Sequence, residues 1–305
     1  MTTSPQHIAF GIDIGGSGIK GALVDLDRGE FIGSRYRIPT PQPATPDAVA
    51  DTVAELVEHF GIDETVPIGI DFPAPIIHGV APMIANLHES WKDENVLKLM
   101  TERLGRPVTV LNDADAAGYA EVHYGAANGI DGLVMVLTLG TGIGSVLVMD
   151  GVLIPNTELG HLEIDGYDAE KRAASSVFEN EGLTYEQWAE RLQRYFSHVE
   201  MLFSPDVFII GGGISKKSKK FVPLLSTRAP IIPAELLNTA GIVGSALLAA
   251  QEAGAFALDD ETKTKIAVAR EEVRKVQKAE KEAKKAAKLA AEASGESVGS
   301  AGSAE

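Results

Sequence analysis

FGIDIGGSGIKGALVDLDRGEF, residues 10–31, and MVLTLGTGIGSVLVMDGVL, residues 135–153, decide the fold between them. Each reads as strand, glycine turn, strand, tight turn, strand. Apolar and β-branched residues lead to Gly15-Gly16-Ser17-Gly18 in the first stretch and to Gly140-Thr141-Gly142 in the second, after which a new strand pattern begins. Asp27-Arg28-Gly29 and Asp150-Gly151 supply hairpin chemistry that closes each unit. Such a repeat predicts two related lobes, although glycine-turn hairpins recur in unrelated folds and twenty residues of likeness leave duplication and coincidence both open.

Outward from these stretches, short strand patterns alternate with amphipathic ones, as in an α/β protein. Strands are expected at 7–14, 19–25, 31–38, 66–70, 108–111, 133–139, 145–149 and 207–210, and helices at 46–60, 94–104, 114–124, 185–203, 217–225 and 240–254. At 305 residues the chain is long enough for two packed lobes. Residues 1–112 read as the smaller lobe, completed by a helix at 240–256, and residues 113–239 as the larger. Residues 257–305 shift to Ala, Lys and Glu and read as a helical or disordered tail.

The net charge is −16, and because residues 257–305 hold 10 basic and 10 acidic residues, the whole acidic excess lies in the first 256. A field of that sign disfavours nucleic acid and anionic membrane as partners. Zero cysteines exclude thiol catalysis and every cysteine-ligated zinc or iron–sulfur site, so no structural zinc is expected. No apolar run reaches membrane-spanning length and the opening MTTSPQH has no signal-peptide pattern, so a cytoplasmic location is expected.

Gly16-Ser17-Gly18-Ile19-Lys20-Gly21 fits GxGxxG, but the dinucleotide fingerprint needs a helix after the turn and an acid about 20 residues on. GALVDLD reads as a strand, and 36–41 has no acid. What remains is an acid at a strand end, Asp13, before a glycine turn whose N–H groups can converge on phosphate oxygens while Ser17 adds a hydroxyl. Leu139 to Gly144 repeats this logic with Thr141, and Gly211-Gly212-Gly213 follows the strand VFII as a third place for phosphates to approach the backbone. Lys216, Lys217, Lys219 and Lys220 stand next to it; such runs are ordinarily solvated faces, and only the neighbouring glycines give this one meaning.

With these motifs in order, the sequence resembles the ROK family of sugar kinases, within the actin, hexokinase and heat-shock ATPase superfamily. The resemblance covers roughly residues 8–254 and rests on DIGGSGIK (13–20), NDADAAGYAE (112–121), LGTGIG (139–144), TELGHLE (157–163), GGGIS (211–215) and AGIVGSA (240–246). Within the family it is most similar to the members that phosphorylate glucose from inorganic polyphosphate and often ATP: like them it lacks the cysteine-rich zinc motif after GH, and PNTELGHLE and GGGISKKSKKF read as theirs. Residues 71–91 follow that subgroup only in outline, at Phe72-Pro73, Asn86 and Ser90-Trp91.

The resemblance implies an α/β, two-lobed actin-like ATPase (ribonuclease H-like) sugar kinase fold with a central cleft, and transfer of a phosphoryl group to glucose with Mg²⁺. It makes Asp113 the general base and places Asn112, Asp113, Glu158, His161 and Glu170 at the sugar. Gly15, Gly16, Ser17, Gly18, Lys20, Gly140, Thr141, Gly142, Gly212, Gly213, Lys216 and Lys217 would meet phosphates, and Asp13 would organise Mg²⁺, directly or through water. Read alone, Asp113 would be a helix N-cap and His161 a structural histidine. Asp115 would cap or support the same helix, and Trp91 and Trp188 belong to the core. The expected partners are glucose, inorganic polyphosphate and ATP, and a second copy in a homodimer. Two competing readings remain: an ATP-dependent kinase for another hexose, and a non-catalytic sugar sensor. A sensor of the repressor type needs an N-terminal helix-turn-helix, for which the position of the first glycine loop leaves no room.

Overall fold

β1 (Ile8–Ile14) and β2 (Ile19–Asp25) pair antiparallel in unbroken register, Ile8 opposite Asp25 through Ile14 opposite Ile19, so residues 15–18 are the turn between them. The computed structural model describes residues 7–84 and 87–256; Asn86 and the 257–305 segment singled out above lie outside the described residues. β3 (Glu30–Ile38) pairs antiparallel with β2, while β4 (Ile68–Phe72) runs parallel to β1, and β7 (Thr109–Asn112) parallel to β4. The order is β3-β2-β1-β4-β7. Between them β5 (Val80–Ala81) and β6 (Glu94–Asn95) form a two-stranded ribbon.

The second sheet repeats the plan. β8 (Leu133–Leu139), β9 (Ile143–Met149) and β10 (Val152–Ile154) are antiparallel neighbours, and β13 (Val207–Gly211) and β14 (Ile231–Pro233) add in parallel, giving β10-β9-β8-β13-β14. Third strand, second, first, fourth, fifth: the two sheets share one topology, so the likeness of the two glycine stretches extends through a whole five-stranded unit. A small hairpin of β11 (Glu163–Ile164) and β12 (Tyr167–Asp168) precedes the fourth strand of this sheet.

α1 (Pro46–Phe60) starts with Pro46 in its first turn and ends on Gly61 in the left-handed conformation, burying Val49, Ala50, Val53 and Leu56 with the first sheet's apolar core. α2 (Val96–Leu104) is capped by Asn95. α3 (Asp113–Tyr124) follows β7 directly, and the short α4 (Glu170–Ala173) and α5 (Ser175–Asn180) follow the hairpin. α6 (Tyr185–Phe203) opens with a capping box of Thr184 and Gln187 and buries Trp188, Leu192, Tyr195, Phe196 and Val199 in the second core. Both tryptophans are core residues: the Trp91 indole donates to Ala44 O and that of Trp188 to Ala173 O.

α7 (Ala240–Glu252), with sequence AGIVGSALLAAQE, joins the two halves. Small residues let it lie against β1 and β4 of the first sheet and against α3 at backbone distance. A Cβ on Gly69 would stand 1.9 Å from Ser245 O, and one on Gly244 only 1.8 Å from Ala116 O. Buried on nearly every side, this helix shows none of the one-faced pattern of a surface helix.

Two expectations need correction. Residues 217–225 form no α-helix; Gly213–Lys220 and Val222–Leu224 are 3₁₀ turns. The segment leaves its strand through glycine, offers only Ile214 as an apolar anchor before Phe221, and meets Pro223, which has no N–H to donate. The strand expected at 66–70 is shifted to Ile68–Phe72, which brings Asp71 inside the sheet. β10 is the short third strand that the repeat anticipates after Asp150-Gly151, whereas β14, also three residues, was too short to register as a pattern. Among the described residues no helix is long and apolar enough to cross a membrane.

Candidate active site

Three parallel strands end side by side, with Asp13 of β1 opposite Asp71 of β4, and Phe72 opposite Asn112 at the end of β7. Asn112 is the cap of α3: its Oδ1 accepts from Ala114 N at 2.9 Å and Asp115 N at 3.1 Å. The cap position is therefore that of Asn112, and Asp113 is the first residue inside the helix, sharing the Ala114 N–H. Its Oδ1 accepts from Ala114 N at 2.8 Å while the side chain opens to the cleft. The carboxyl is open on that side only and sits deep among protein atoms on the others, so burial pushes it up to about 6, with the charges of Asp13 and Glu158 adding to the shift and the Ala114 N–H opposing it.

Asp115 does not cap. Buried at 1% exposure, it accepts Asn156 N at 2.8 Å through Oδ2. Burial pushes its carboxyl up to about 7 against that hydrogen bond, with Glu158 and Asp113 adding repulsion. Asn156 in turn bridges Ile76, accepting its N–H at 2.8 Å and donating to its O at 3.0 Å. Ser145 Oγ donates to Thr157 O and accepts Leu159 N. The loop bearing Glu158 is thus fastened to α3, to β9 and to the turn after β4.

Glu158 is held above its ordinary range by burial, an effect the nearby His161 opposes and Glu170 reinforces. His161 Nδ1 faces Asp168 Oδ2 at 3.1 Å and Glu170 Oε1 at 3.8 Å. The hydrogen bond to Asp168 raises the imidazole's pKa. Glu170 uses its other oxygen, Oε2, to accept Ile143 N at 3.1 Å, bracing the second glycine loop. One ligand atom each from His161, Asp168 and Glu170 lies within 4.8 Å of the others, a set that can bracket sugar hydroxyls or hold a cation.

These groups surround one cavity of about 470 Å³. Asn112, Asp113, Glu158, His161 and Glu170 form its polar wall, Gly140, Thr141, Gly142 and Gly212 its end, and Pro73, Ala74, Pro75, Met83 and Ile84 the apolar side. That volume and mixed lining suit a small polar ligand. A cavity of similar size, about 420 Å³, lies between α6 and the β11–β12 hairpin, away from both glycine loops.

The glycine loops are rigidly tied. Gly140 N donates to Gly142 O, and Ser176 at the start of α5 donates through N to Gly140 O and through Oγ to Thr141 O. In the first loop Gly15 N donates to Gly18 O and Thr40 Oγ1 to Gly15 O. Arg37 donates to Ser17 O and covers Gly18, leaving Gly16 and Ser17 exposed. Lys20 Nζ contacts Asp13 Oδ2 at 2.5 Å, so it serves Asp13 and not open solvent. Gly15, Gly16, Ser17, Gly18, Lys20 and Asp13 do not line the 470 Å³ cavity; Asp13 communicates with it through its charge on Asp113. Gly213 and Lys216 line a separate recess of about 80 Å³ that shares Gly212 with the main cavity, and Lys217 is exposed beside it.

The sequence model of the ROK family matches residues 9–182, more than half of the chain. The chain belongs to the ROK family. It is 53% identical over 246 residues to the polyphosphate glucokinase of Mycobacterium tuberculosis, spanning 80% of this chain and 92% of that one. The crystal structure of the inorganic polyphosphate/ATP-glucomannokinase of Arthrobacter sp. strain KM is likewise 53% identical, covering 81% of this chain and 99% of that one with a TM-score of 0.75. A ROK glucokinase from Streptomyces griseus, solved with glucose and AMPPNP, shares the fold at 24% identity and TM-score 0.67, covering 80% of this chain and 99% of its own. The fold is the two-lobed actin-like ATPase fold of these ROK sugar kinases.

Sequence reasoning missed four residues of this ROK site. Asp71 lay just past the expected strand. Arg37 is brought over the first loop by pairing of β3 with β2, where it stands opposite Lys20. Asp168 carries no motif, and its meaning comes from the hairpin that returns it to His161. Asn156, inside the quoted run PNTELGHLE, was a neighbour of the motif whose bridge to Ile76 no pattern announces.

Proposed function

We propose that this ROK protein phosphorylates glucose to glucose 6-phosphate, taking the phosphoryl group from inorganic polyphosphate, with ATP as a second donor. The observation that carries the reading is Asp113: just inside the helix that Asn112 caps, lining the cavity, and raised to about 6. A base tuned near neutrality is suited to accept a hydroxyl proton as the oxygen attacks. The 53% identity to proteins named for this reaction supports the substrate pair.

In this reading glucose occupies the 470 Å³ cavity with its hydroxyls bracketed by Asn112, Glu158, His161 and Glu170, and its ring against Pro73, Pro75 and Ile84. Its 6-hydroxyl gives its proton to Asp113 as the new O–P bond forms and the bond to the donor chain breaks. The donor lies along Gly140, Thr141, Gly142 and Gly212, and a longer chain continues past Gly213 toward Lys216 and Lys217. Gly16 and Ser17 serve the phosphates from the first loop, and Lys20, paired with Asp13, stands beside them as a side-chain cation. Asp13 is the residue to hold Mg²⁺, and the neighbouring carboxylate of Asp71, which lacks any donor, suits a hard cation there. When bound, Mg²⁺ supplies positive charge against the transferring phosphoryl group. The lobe of residues 1–112 with helix 240–256 closes on residues 113–239 to exclude water.

The test is glucose 6-phosphate formation by the full chain with Mg²⁺, comparing ATP-free polyphosphate with ATP, and glucose with mannose. Turnover with polyphosphate and glucose is expected, rising with pH through about 6 as Asp113 loses its proton. Asp113→Asn should lower kcat by about 10²–10⁴-fold with glucose binding by calorimetry and the melting curve retained. Undiminished turnover in that variant would overturn the assignment.

A further inference from the structure

Asp71 is 1% exposed, and it is the only carboxylate among the described residues with both oxygens buried and unpartnered. The phosphoryl transfer described above gives it no role of its own beyond its place beside Asp13. A charged group so placed is tolerated when a counter-charge completes it. Its surroundings supply too little: Asp13 and Asp113 repel it, and the single cation acting on it, Lys20, is already engaged with Asp13. Three carboxylates share one lysine.

The placement is specific. Asp71 stands opposite Asp13 on the adjacent parallel strand, and neighbouring strands lie about 4.8 Å apart. Like Gly69 two residues earlier it faces α7, where Gly241 leaves it room; a Cβ there would come within 2.5 Å of Asp71 Oδ2. Two carboxylates from adjacent strand ends, one fully orphaned, are the donor set of a hard divalent cation, which takes one or two protein carboxylates and completes its shell with water and phosphate oxygens.

We propose that Asp71 is the second carboxylate anchor of the divalent cation held by Asp13, so that the cation is gripped from two strands. This rests on the reading that a cation binds at Asp13. The rival account is a purely structural pair, in which a protonated Asp71 donates to Asp13 and no cation is involved.

Electron paramagnetic resonance of Mn²⁺ added alone to the full chain separates them. Asp71→Asn, which keeps the shape and removes the charge, should weaken Mn²⁺ binding by about 10- to 100-fold, the usual effect of removing a supporting group at a metal site, and should lose the Mn²⁺-dependent rise in melting temperature. Asp13→Asn run beside it tells two failures apart. Weakened binding in Asp13→Asn with unchanged binding in Asp71→Asn overturns the role of Asp71 and keeps Asp13. Unchanged binding in both, or no Mn²⁺ bound by the unaltered chain, overturns the cation reading at Asp13 and this inference together. If Asp71→Asn does not fold, Asp71→Ser is measured in the same way and read by the same outcomes.

Discussion

Replacing Asp115 by Asn should shift stability in the variant's favour, relative to the unaltered protein, as pH rises from 5 to 8, and by an amount the structure sets. Asp115 is buried at the start of α3, and its carboxyl is raised from 3.8 to about 7. The folded state therefore keeps a proton that the unfolded chain sheds near pH 4. Stability contributed by this group falls as pH rises from about 4 to about 7 and is then constant. Between pH 5 and pH 8 the carboxylate costs the folded state about two pKa units more, or about 2.7 kcal/mol. Asn removes that term and keeps an acceptor for Asn156 N, though its NH₂ inherits the orphaned position of Oδ1 at a cost of about 1–3 kcal/mol. That cost is the same at both pH values and cancels in the comparison. Urea unfolding of both proteins at pH 5 and pH 8 should give a stability difference that moves in favour of the variant by about 2–3 kcal/mol. An equal difference at the two pH values would refute the reasoning, since a carboxyl with an ordinary pKa is ionised at both.

Gly244→Ala should destabilise the fold by at least about 1–3 kcal/mol, because the added methyl would lie 1.8 Å from Ala116 O, a backbone atom that cannot swing aside; thermal melting checks it, and a neutral result would mean α7 is not seated as described. Lys216→Ala with Lys217→Ala should raise KM for long-chain polyphosphate several-fold and flatten its salt dependence while sparing glucose binding, and steady-state assays at two ionic strengths would expose an unchanged KM.

The glycine turns were legible because a strand that must reverse over three or four residues has few chemistries available, and both copies of the turn spelled one out. Asn112, Asp113, Glu158 and His161 were found through motifs and Glu170 through the wider resemblance alone, and all five line one cavity. What could not be read was division of labour between neighbours. Asn112 and Asp113 are both competent caps, and only the backbone path from β7 into α3 decides that Asn112 takes the N–H groups. Glu170 looked like a sugar ligand alone, yet half of its carboxylate braces Ile143 N. Asp71 was hidden for another reason: an acid inside an apolar strand departs from the usual pattern, and its partner is set by register with a strand nearly sixty residues earlier. The lysine run was visible, but a run of glycine and lysine closed by proline says little about whether its turns tighten to 3₁₀.

The charge distribution resolves an apparent conflict between an acidic body and a polyanionic donor. At physiological salt, exposed charges are screened over about 8 Å, so the net −16 governs encounter only weakly and the local groups decide binding. Those groups are sorted by place. Carboxylates occupy the strand ends and the cavity wall, where in the reading above they meet a cation and the sugar hydroxyls. Backbone N–H groups and the cations Lys20, Arg37, Lys216 and Lys217 lie at or beside the three glycine turns, where phosphates would run. Duplication of the five-stranded unit makes this sorting possible. Each copy presents the same turn after its first strand, but one carries Asp13 before its turn and the other Thr138 at the matching place, with Leu139 next. A symmetric pair with an acid on both sides would repel the donor twice; with an acid on one side only, a single divalent cation can neutralise it and leave the second turn free to hold phosphate.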